Sequence, residues 1–425
     1  MKFGRFAYWL DVFGFYSVQW RSGHAIRKWQ GKKLRALVRY MAEHNPLYRE
    51  LLQKNHVAVD AIRSVEDAVK LPRMNKRDFL GRFPEEYLDT SRRIVGYWSQ
   101  TSGTTGEPFS FVGDSLVMHE LSNLYRQFRF AVERDTPLWK LPHLRIAQIK
   151  IRSGKHGNTL FIPVREFLAD PAAAIQKLAE FGPDILVSYS SMLLELSRAI
   201  EAGIATASFR PRYIVSFGEK LSPSARRYIE KIIGSEVYDR YGTEEFGVVG
   251  IECARHEGFH INVESLLIEI VNEKGLPVPS GHSGRIIGTA LYNYNMPFIR
   301  YETGDRGLFI PNECECGLQS PRLLIDGRYS AFLMFGSTRV QHLEFDGALD
   351  GYMNRIIQYQ VAKKSEDALT LRVVPGSAYS PQTSEKIHAS LRSLLGNGIR
   401  LDIELVESIG KVASGKSQIV VDESI

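Results

Sequence analysis

The strongest chemical signal in the sequence is a short loop rich in glycine and hydroxyl side chains, residues 101–108 (TSGTTGEP). Its glycines allow the backbone to approach a ligand closely, and its hydroxyl and N–H groups can surround an anion such as phosphate. The loop lacks the GK[ST] ending of a Walker phosphate-binding motif. Taken by itself it could also be a flexible turn, so its interpretation depends on the segments that accompany it.

Five further polar segments follow this loop along the chain. They are Gly218-Glu219, 241–245 (YGTEE), 300–305 (RYETGD), Gly327-Arg328 and 410–416 (GKVASGK). In this order the six segments resemble the motifs of the adenylate-forming superfamily of acyl-CoA synthetases and adenylation domains. The resemblance is to its phenylacetate–CoA ligase-like branch, which includes the CapK-type capsular-polysaccharide proteins, and it spans roughly residues 35–420.

The resemblance implies an enzyme that activates a carboxylic acid with ATP and Mg²⁺, forms an acyl-AMP and releases pyrophosphate. It implies that the acyl group then passes to a thiol, with CoA as the expected acceptor. Two alternatives remain open: transfer to an amine, a sugar or a carrier protein in polysaccharide or natural-product biosynthesis, and AMP transfer to a cofactor hydroxyl. A non-catalytic scaffold is disfavoured because Lys416 and Glu245 are both present.

The resemblance also implies roles for individual residues, which amount to positioning and countercharge. Lys416 would neutralise the charge that develops on the α-phosphate and carboxylate, Glu245 would bind Mg²⁺, and Arg328 would lie near the ribose. Asp305 would accept hydrogen bonds from the ribose hydroxyls, and Tyr241 would stack on the adenine. Further nucleotide contacts would come from Ser102, Gly103, Thr104, Thr105 and Gly106 at the β- and γ-phosphates, and from Gly218 and Glu219 along the adenine, and Gly242 is also expected to bind the nucleotide.

Two residues depart from the family pattern. Glu244 stands where a Thr or Ser usually precedes the magnesium-binding glutamate, so an extra carboxylate lies beside the expected metal. Ala331 stands where a hinge Asp is common, which leaves open how the small domain would rotate between the two half-reactions.

The three cysteines lie in a pattern suited to zinc. Cys314 and Cys316 flank a single residue, and Cys253 occurs earlier with His256 and His260 close behind. Three thiolates and one imidazole complete a closed tetrahedral site. His260 is the preferred fourth ligand because it begins an apolar strand, and some members of the resembled branch carry such a structural zinc. Three unrelated buried cysteines are the alternative.

Composition restricts the class of protein. The chain has 425 residues and a formal net charge of +6, and 44% of it is hydrophobic and 24% charged, which excludes wholesale disorder and accommodates two or three domains. No run of about 20 apolar residues is present, so no transmembrane helix is expected. Residues 6–18 are interrupted by Asp11 and precede no small-residue cleavage site, which argues against a signal peptide. Three cysteines form no disulfide framework, and a cytoplasmic protein is predicted.

The excess positive charge is concentrated near the amino terminus. Seven Lys or Arg residues and no acidic residue lie between Arg21 and Arg39, after a segment (residues 3–20) with eight aromatic residues. A solvated helix face is the simplest interpretation. A peripheral membrane contact is the alternative, because aromatic residues favour the membrane interface. No nucleic-acid-binding motif accompanies the charge, so nucleic acid is not an expected partner.

Hydrophobic patterning predicts an α/β protein. Residues 31–55 carry a helical stripe broken at Asn45-Pro46. Short apolar runs at 145–151, 184–188, 213–217 and 236–239 alternate with amphipathic stretches at 171–181, 190–202 and 222–233, which is typical of a mostly parallel sheet. Closely spaced strands at 259–271, 284–292, 298–301 and 306–310 indicate an antiparallel or barrel-like subdomain.

The last hundred residues predict a small α+β unit, with strands 356–363, 368–374 and 399–406 around helix 381–395. The expected organisation is therefore an ATP- and acid-binding domain over residues 1–327 and a small mobile C-terminal domain over 328–425. By resemblance, residues 189–191, Phe217 and the turn 241–246 would line the acid pocket, which favours a small or aromatic carboxylic acid. The oligomeric state is left open, a homodimer included.

Overall fold

A computed structural model describes residues 17–82, 84–88, 98–100, 110–113, 120–150, 154–205, 208–328, 332–335, 338–396, 398–410 and 419–423. The chain divides into two units, each made of two stretches of sequence. The first unit comprises Met1–Pro142 and Tyr241–Asp326, and the second comprises His143–Arg240 and Gly327–Ile425. These compact units differ from the two expected functional domains, whose boundary between residues 327 and 328 stays a prediction.

Two helices begin the described part of the first unit. Helix α1 (Gly23–His44) ends where Pro46 begins α2 (Pro46–Lys54), because a proline has no N–H to donate and disfavours helical geometry in the residue before it. The Asn45 side chain accepts a hydrogen bond from the Tyr48 N–H and so caps α2. One face of α1 enters the core through Ile26, Leu34, Leu37, Val38 and Met41. The predicted helical stripe and its break are confirmed.

The first unit continues with short elements and then a sheet. Helices α3 (Pro84–Tyr87) and α4 (Glu120–Arg134) flank the antiparallel pair β1 (Trp98–Gln100) and β2 (Ser110–Val112). Strands of the second stretch are ordered β11-β12-β13-β14-β10-β9, and the pairs β11–β12, β12–β13, β14–β10 and β10–β9 are antiparallel. Their bounds are β9 (Gly247–Ile251), β10 (Phe259–Ile261), β11 (Leu266–Val271), β12 (Gly284–Ala290), β13 (Tyr301–Phe309) and β14 (Arg322–Arg328).

The prediction of two strands at 298–301 and 306–310 was wrong, because β13 is one continuous strand across residues 301–309. A shift of register against β12 accommodates the intervening residues. The Thr303 hydroxyl donates to the carbonyl of Ile286 and accepts from the N–H of Asp305. Gly304 adopts a positive φ of 81° there, which explains why the segment looked like a turn.

The second unit contains the predicted alternation of strands and helices. Strands β3, β5, β6, β7 and β8 run parallel and β4 lies antiparallel at the edge, in the order β8-β7-β6-β3-β5-β4. The strands are β3 (Ile146–Lys150), β4 (Gly154–His156), β5 (Thr159–Pro163), β6 (Ile185–Ser188), β7 (Tyr213–Phe217) and β8 (Glu236–Thr243). The helices are α5 (Val164–Ala169), α6 (Pro171–Phe181), α7 (Ser190–Glu201) and α8 (Pro223–Ile233). The α/β class is confirmed.

The carboxyl-terminal stretch forms a small α+β fold. Four strands are ordered β19-β18-β17-β20, with β17 and β18 antiparallel and the outer pairs parallel. The elements are β15 (Phe332–Phe335), β16 (Thr338–Gln341), α9 (His342–Leu349), β17 (Ile356–Ser365), β18 (Ala368–Pro375), α10 (Pro381–Leu395), β19 (Arg400–Leu405) and β20 (Val420–Asp422). Within the second unit, the Ser222 hydroxyl that caps α8 also donates to the carbonyl of Ile357 at 2.8 Å.

A fully buried guanidinium joins separate segments of the first unit. Arg129 of α4 is 0% exposed and donates to Gln19 Oε1 at 2.6 Å and to Asn262 Oδ1 at 2.9 Å. It also donates to the carbonyls of Ile251, at 3.2 Å, and His260. A buried cation is costly unless its donors are used, and these acceptors use the donors of its two terminal nitrogens.

Two carboxyl groups surround this cation. Glu133 Oε1 lies 3.4 Å from Arg129 Nε, and Glu264 accepts a 2.8 Å hydrogen bond from Gln19. Burial raises the pKa of Glu133 to about 7 and also raises the pKa of Glu264, while the Arg129 charge opposes both shifts. The guanidinium therefore favours the ionised state of Glu133 and Glu264, and it also binds the backbone carbonyls of β9 and β10.

We expect Arg129→Met to lower the free energy of unfolding by about 3–5 kcal/mol, because it leaves several buried acceptors unpaired and removes the positive charge that stabilises the two carboxylates. Urea denaturation followed by circular dichroism measures the change. Lys140→Met, at an exposed position of the same unit, should change stability by less than about 0.5 kcal/mol. Equal stability of the two variants would show that the network contributes nothing.

Candidate functional site

Several predicted site residues fall outside the part of the chain that the structure describes. These are Ser102, Gly103, Thr104, Thr105, Gly106 and Lys416, together with the departing residue Ala331. Arg328 is the last residue of β14. The other predicted residues form separate groups in the two units.

The first group lies on the hairpin that begins at Tyr241 and on strand β13. The Tyr241 hydroxyl donates to Asp305 Oδ2 at 2.6 Å, and Asp305 is 6% exposed. A Cβ atom at Gly242 would lie 2.5 Å from the carbonyl oxygen of Gly247, so the hairpin requires glycine at that position. The structure thus brings Tyr241 and Asp305 together, and steric crowding explains why position 242 is a glycine.

Glu245 lies in the turn of the same hairpin, and its carboxylate accepts a hydrogen bond from a buried tyrosine. The Tyr301 hydroxyl donates to Glu245 Oε1 at 3.1 Å, and the Tyr301 ring packs against Phe79, Phe246 and Phe298. Burial raises the pKa of Tyr301, so the phenol keeps its proton and remains a donor. Sequence reasoning missed this role, although Tyr301 lies within the 300–305 motif. Glu244 beside it is exposed.

The second group lies in the second unit, at the carboxyl ends of β6 and β7. Glu219 accepts hydrogen bonds from the Ser191 N–H at 2.7 Å and the Ser191 hydroxyl at 3.0 Å, so its carboxylate caps the first turn of α7. Gly218 before it has a φ of 74°. The Tyr189 ring lies 4.7 Å from that of Phe217. Open α/β sheets bind ligands at this edge.

Two cations that sequence reasoning missed converge on the Phe217 ring. Lys150 Nζ lies 4.6 Å and Arg240 Cζ 5.0 Å from its centroid. The parallel register of β7 and β8 aligns Phe217 with Arg240, and β3 ends at Lys150, so both cations lie at the same edge of the sheet as the ring. Burial lowers the pKa of Arg240 to about 10, and Asp239 opposes that shift. The carboxyl edge therefore combines an aromatic surface with positive charge.

The four predicted metal ligands form one cluster in the first unit. One donor atom from each of Cys253, His260, Cys314 and Cys316 lies within 4.8 Å of all the others. The Sγ atoms of Cys253 and Cys314 are 3.7 Å apart, and Cys316 Sγ is 3.3 Å from His260 Nε2. His256 lies elsewhere, with Nδ1 at 3.1 Å from Glu252. All three cysteines are free thiols.

These separations fit a tetrahedral zinc ion. With Zn–S near 2.3 Å and Zn–N near 2.1 Å, the edges of a tetrahedron are about 3.8 Å between sulfurs and about 3.6 Å between sulfur and nitrogen. His260 Nδ1 lies 3.1 Å from the carbonyl oxygen of Ser320, so that nitrogen carries the proton and Nε2 is left with its lone pair for ligation. Four protein donors leave no open coordination position, which is typical of structural sites.

The protonation of Cys253 and His260 suits metal ligation, whereas the hydrogen bond to Cys253 and burial raise the pKa of Cys316, whose thiol proton a metal ion would displace. A hydrogen bond from the Cys316 thiol lowers the pKa of Cys253 to about 3, and the His260 side chain and the Arg255 N–H lower it further. Burial lowers the pKa of His260. A thiolate and a neutral imidazole are the forms that bind a metal ion.

Comparison with known proteins finds relatives that cover most of the chain. Residues 336–423 match the CapK C-terminal domain family. The chain is 26% identical to a phenylacetate-coenzyme A ligase of Thermus thermophilus over 361 residues, which cover 81% of this chain and 79% of the relative. It is 21% identical to Protein CapK of Staphylococcus aureus, covering 92% of this chain and 88% of that protein. The chain is therefore similar over most of its length to phenylacetate-coenzyme A ligases and to Protein CapK, as the order of its sequence motifs predicts.

The fold of the chain agrees with that of a solved acyl-CoA ligase. A 2-hydroxyisobutyryl-CoA ligase in its postadenylation state, in complex with R3-HIB-AMP, superimposes with a TM-score of 0.75 at 19% identity and covers 95% of this chain and 91% of that structure. The predicted adenylate-forming fold is thereby confirmed. Among the described helices, none is both long and apolar enough to cross a membrane.

Proposed function

We propose that this protein activates a carboxylic acid with ATP to an acyl-AMP, releases pyrophosphate, and transfers the acyl group to CoA. The observation that carries the proposal is the pairing of Tyr241 with Asp305 at 2.6 Å, which orients the buried carboxylate that the resemblance assigns to the ribose hydroxyls. The Thermus thermophilus relative is named a phenylacetate-coenzyme A ligase, and a solved 2-hydroxyisobutyryl-CoA ligase is in complex with 2-HIB-AMP and CoA.

The described residues support a division of labour in this proposed reaction. Asp305, with its Tyr241 bond, would accept hydrogen bonds from the ribose hydroxyls. Glu245 would hold Mg²⁺, and Tyr301 would keep its carboxylate oriented. A magnesium ion there would supply countercharge to the phosphates. Gly218, Glu219 and Gly242 remain proposed adenine contacts, and the loop 101–108, Arg328 and Lys416 remain proposed phosphate, ribose and carboxylate contacts.

ATP–pyrophosphate exchange with a panel of small aliphatic and aromatic acids tests adenylation, and mass spectrometry of products formed with CoA tests thioester formation. Lys416→Ala should reduce acyl-adenylate formation by about 10²–10³-fold, while thioester formation from supplied acyl-AMP survives, because the lysine's charge is needed in the first step. Equal loss of both steps would contradict that role. Exchange without any CoA thioester, but with an amine, sugar or carrier-protein product, would assign the alternative acceptor.

Asp305→Asn is expected to raise the dissociation constant for ATP by roughly ten- to a hundredfold, because charge-assisted hydrogen bonds to the ribose are replaced by weaker ones. Isothermal titration calorimetry gives the affinity directly. Glu302→Gln is the matched control on the same strand, since that carboxylate pairs with Arg73 and Arg285. An Asp305→Asn protein that binds ATP as the parent does would remove the proposed ribose contact.

We propose that the cluster of Cys253, His260, Cys314 and Cys316 holds one structural zinc ion. Purified protein should contain about one zinc per chain by elemental analysis, and Cys316→Ser should lose it and melt at a lower temperature. His256→Asn is the matched control because this nearby histidine lies outside the cluster, and it should keep the metal. A well-folded parent protein without zinc or another thiophilic metal would end the proposal.

A further inference from the structure

The solvent-facing side of α1 carries a line of positive charge formed by Lys28, Lys32, Arg35 and Arg39, and Arg21 lies just before the helix. These five exposed residues are here named the basic stripe. At 3.6 residues per turn the four residues on the helix fall within an arc of about 60°, and they span about 17 Å of helix. The stripe lies opposite the face of α1 that enters the core, so packing prevents the helix from turning its charges away from solvent.

The charges of the stripe are only partly neutralised. No acidic residue occurs between Asp11 and Glu43. Arg39 pairs with Asp60 at 3.0 Å, and Arg27 beside the stripe pairs with Glu66. Lys28, Lys32 and Arg35 form no ion pair with any residue in the described part of the chain. The stripe thus keeps three uncompensated cations in a row.

This arrangement is unfavourable in the isolated protein. Like charges three and four residues apart repel along a helix, as do Lys28 and Lys32, Lys32 and Arg35, and Arg35 and Arg39. The first turn of α1 contains no acidic residue, so the helix dipole also opposes the cations near its start. An anionic surface that binds the stripe removes both penalties.

The shape of the stripe selects the kind of anion. The four charges on α1 lie along one line of the helix, so they reach a plane together. Trp20 immediately precedes Arg21 and is 40% exposed, and indole rings favour the boundary between lipid and water.

We propose that the basic stripe docks this protein electrostatically on a membrane surface rich in anionic lipid, with Trp20 at the interface. The contact involves no membrane-spanning segment. It is independent of the proposed ligase reaction, because the stripe contains none of the residues proposed to bind substrates.

Co-sedimentation of the full-length protein with phosphatidylcholine vesicles, with and without phosphatidylserine, tests the proposal. The parent should bind only vesicles that contain phosphatidylserine, and the binding should weaken as salt rises. Since each basic residue near such a surface contributes about fivefold, Lys28→Gln/Lys32→Gln/Arg35→Gln should weaken binding by about a hundredfold. Its melting temperature should equal or exceed that of the parent, because repulsion is relieved.

The matched control is Lys54→Gln/Lys231→Gln/Lys274→Gln, which removes the same net charge at other exposed positions. It should retain nearly all vesicle binding. Equal weakening of both triple variants would assign the effect to net charge and overturn the proposal, as would equal binding to vesicles without phosphatidylserine. Tighter binding to duplex DNA than to phosphatidylserine vesicles at the same salt, lost in the stripe variant, would also overturn it and identify nucleic acid instead.

Discussion

Burial of the Arg129 guanidinium is the constraint on which much of the first unit depends. Its donors hold the carbonyls of Ile251 and His260, and these residues lie on the neighbouring strands β9 and β10. Three residues earlier on α4, before the kink at Phe128, Arg126 donates to the carbonyl of Phe246 at the hairpin turn. The kinked helix α4 therefore fixes both the hairpin that carries Glu245 and the strand that carries His260 of the proposed zinc site.

The two acidic residues proposed to bind the nucleotide and magnesium share one design. Each carboxylate accepts a hydrogen bond from a tyrosine hydroxyl, Tyr241 to Asp305 and Tyr301 to Glu245. A phenol holds a carboxylate in position without neutralising it, because the proton stays on the phenol. The carboxylates are thus oriented while they keep the charge that their proposed partners require.

The sequence predicted those features that depend on local chemistry. Pro46 ended a helix, the period of apolar residues identified the parallel strands, and three cysteines with a histidine pointed to one metal cluster, because thiol ligands are rare and their spacing is restrictive. The continuity of β13 was missed because Gly304 has the local signature of a turn. The Arg129 network and the cations at Phe217 were missed because their partners lie far apart in sequence, where only strand register brings them together.

The position of Glu219 determines the electrostatics at the carboxyl edge of the parallel sheet in the second unit. The amino end of a helix is ordinarily an attractive place for a substrate's negative group, since its N–H groups are unsatisfied. In α7 the Ser191 N–H already binds the Glu219 carboxylate, so the protein supplies its own anion there. An incoming carboxylate near this helix meets repulsion rather than a receptor, and attraction at this edge comes from side-chain cations. Selectivity for a charged ligand is therefore a property of individual Lys and Arg residues that substitution can alter one at a time, with the backbone of the fold left as it is.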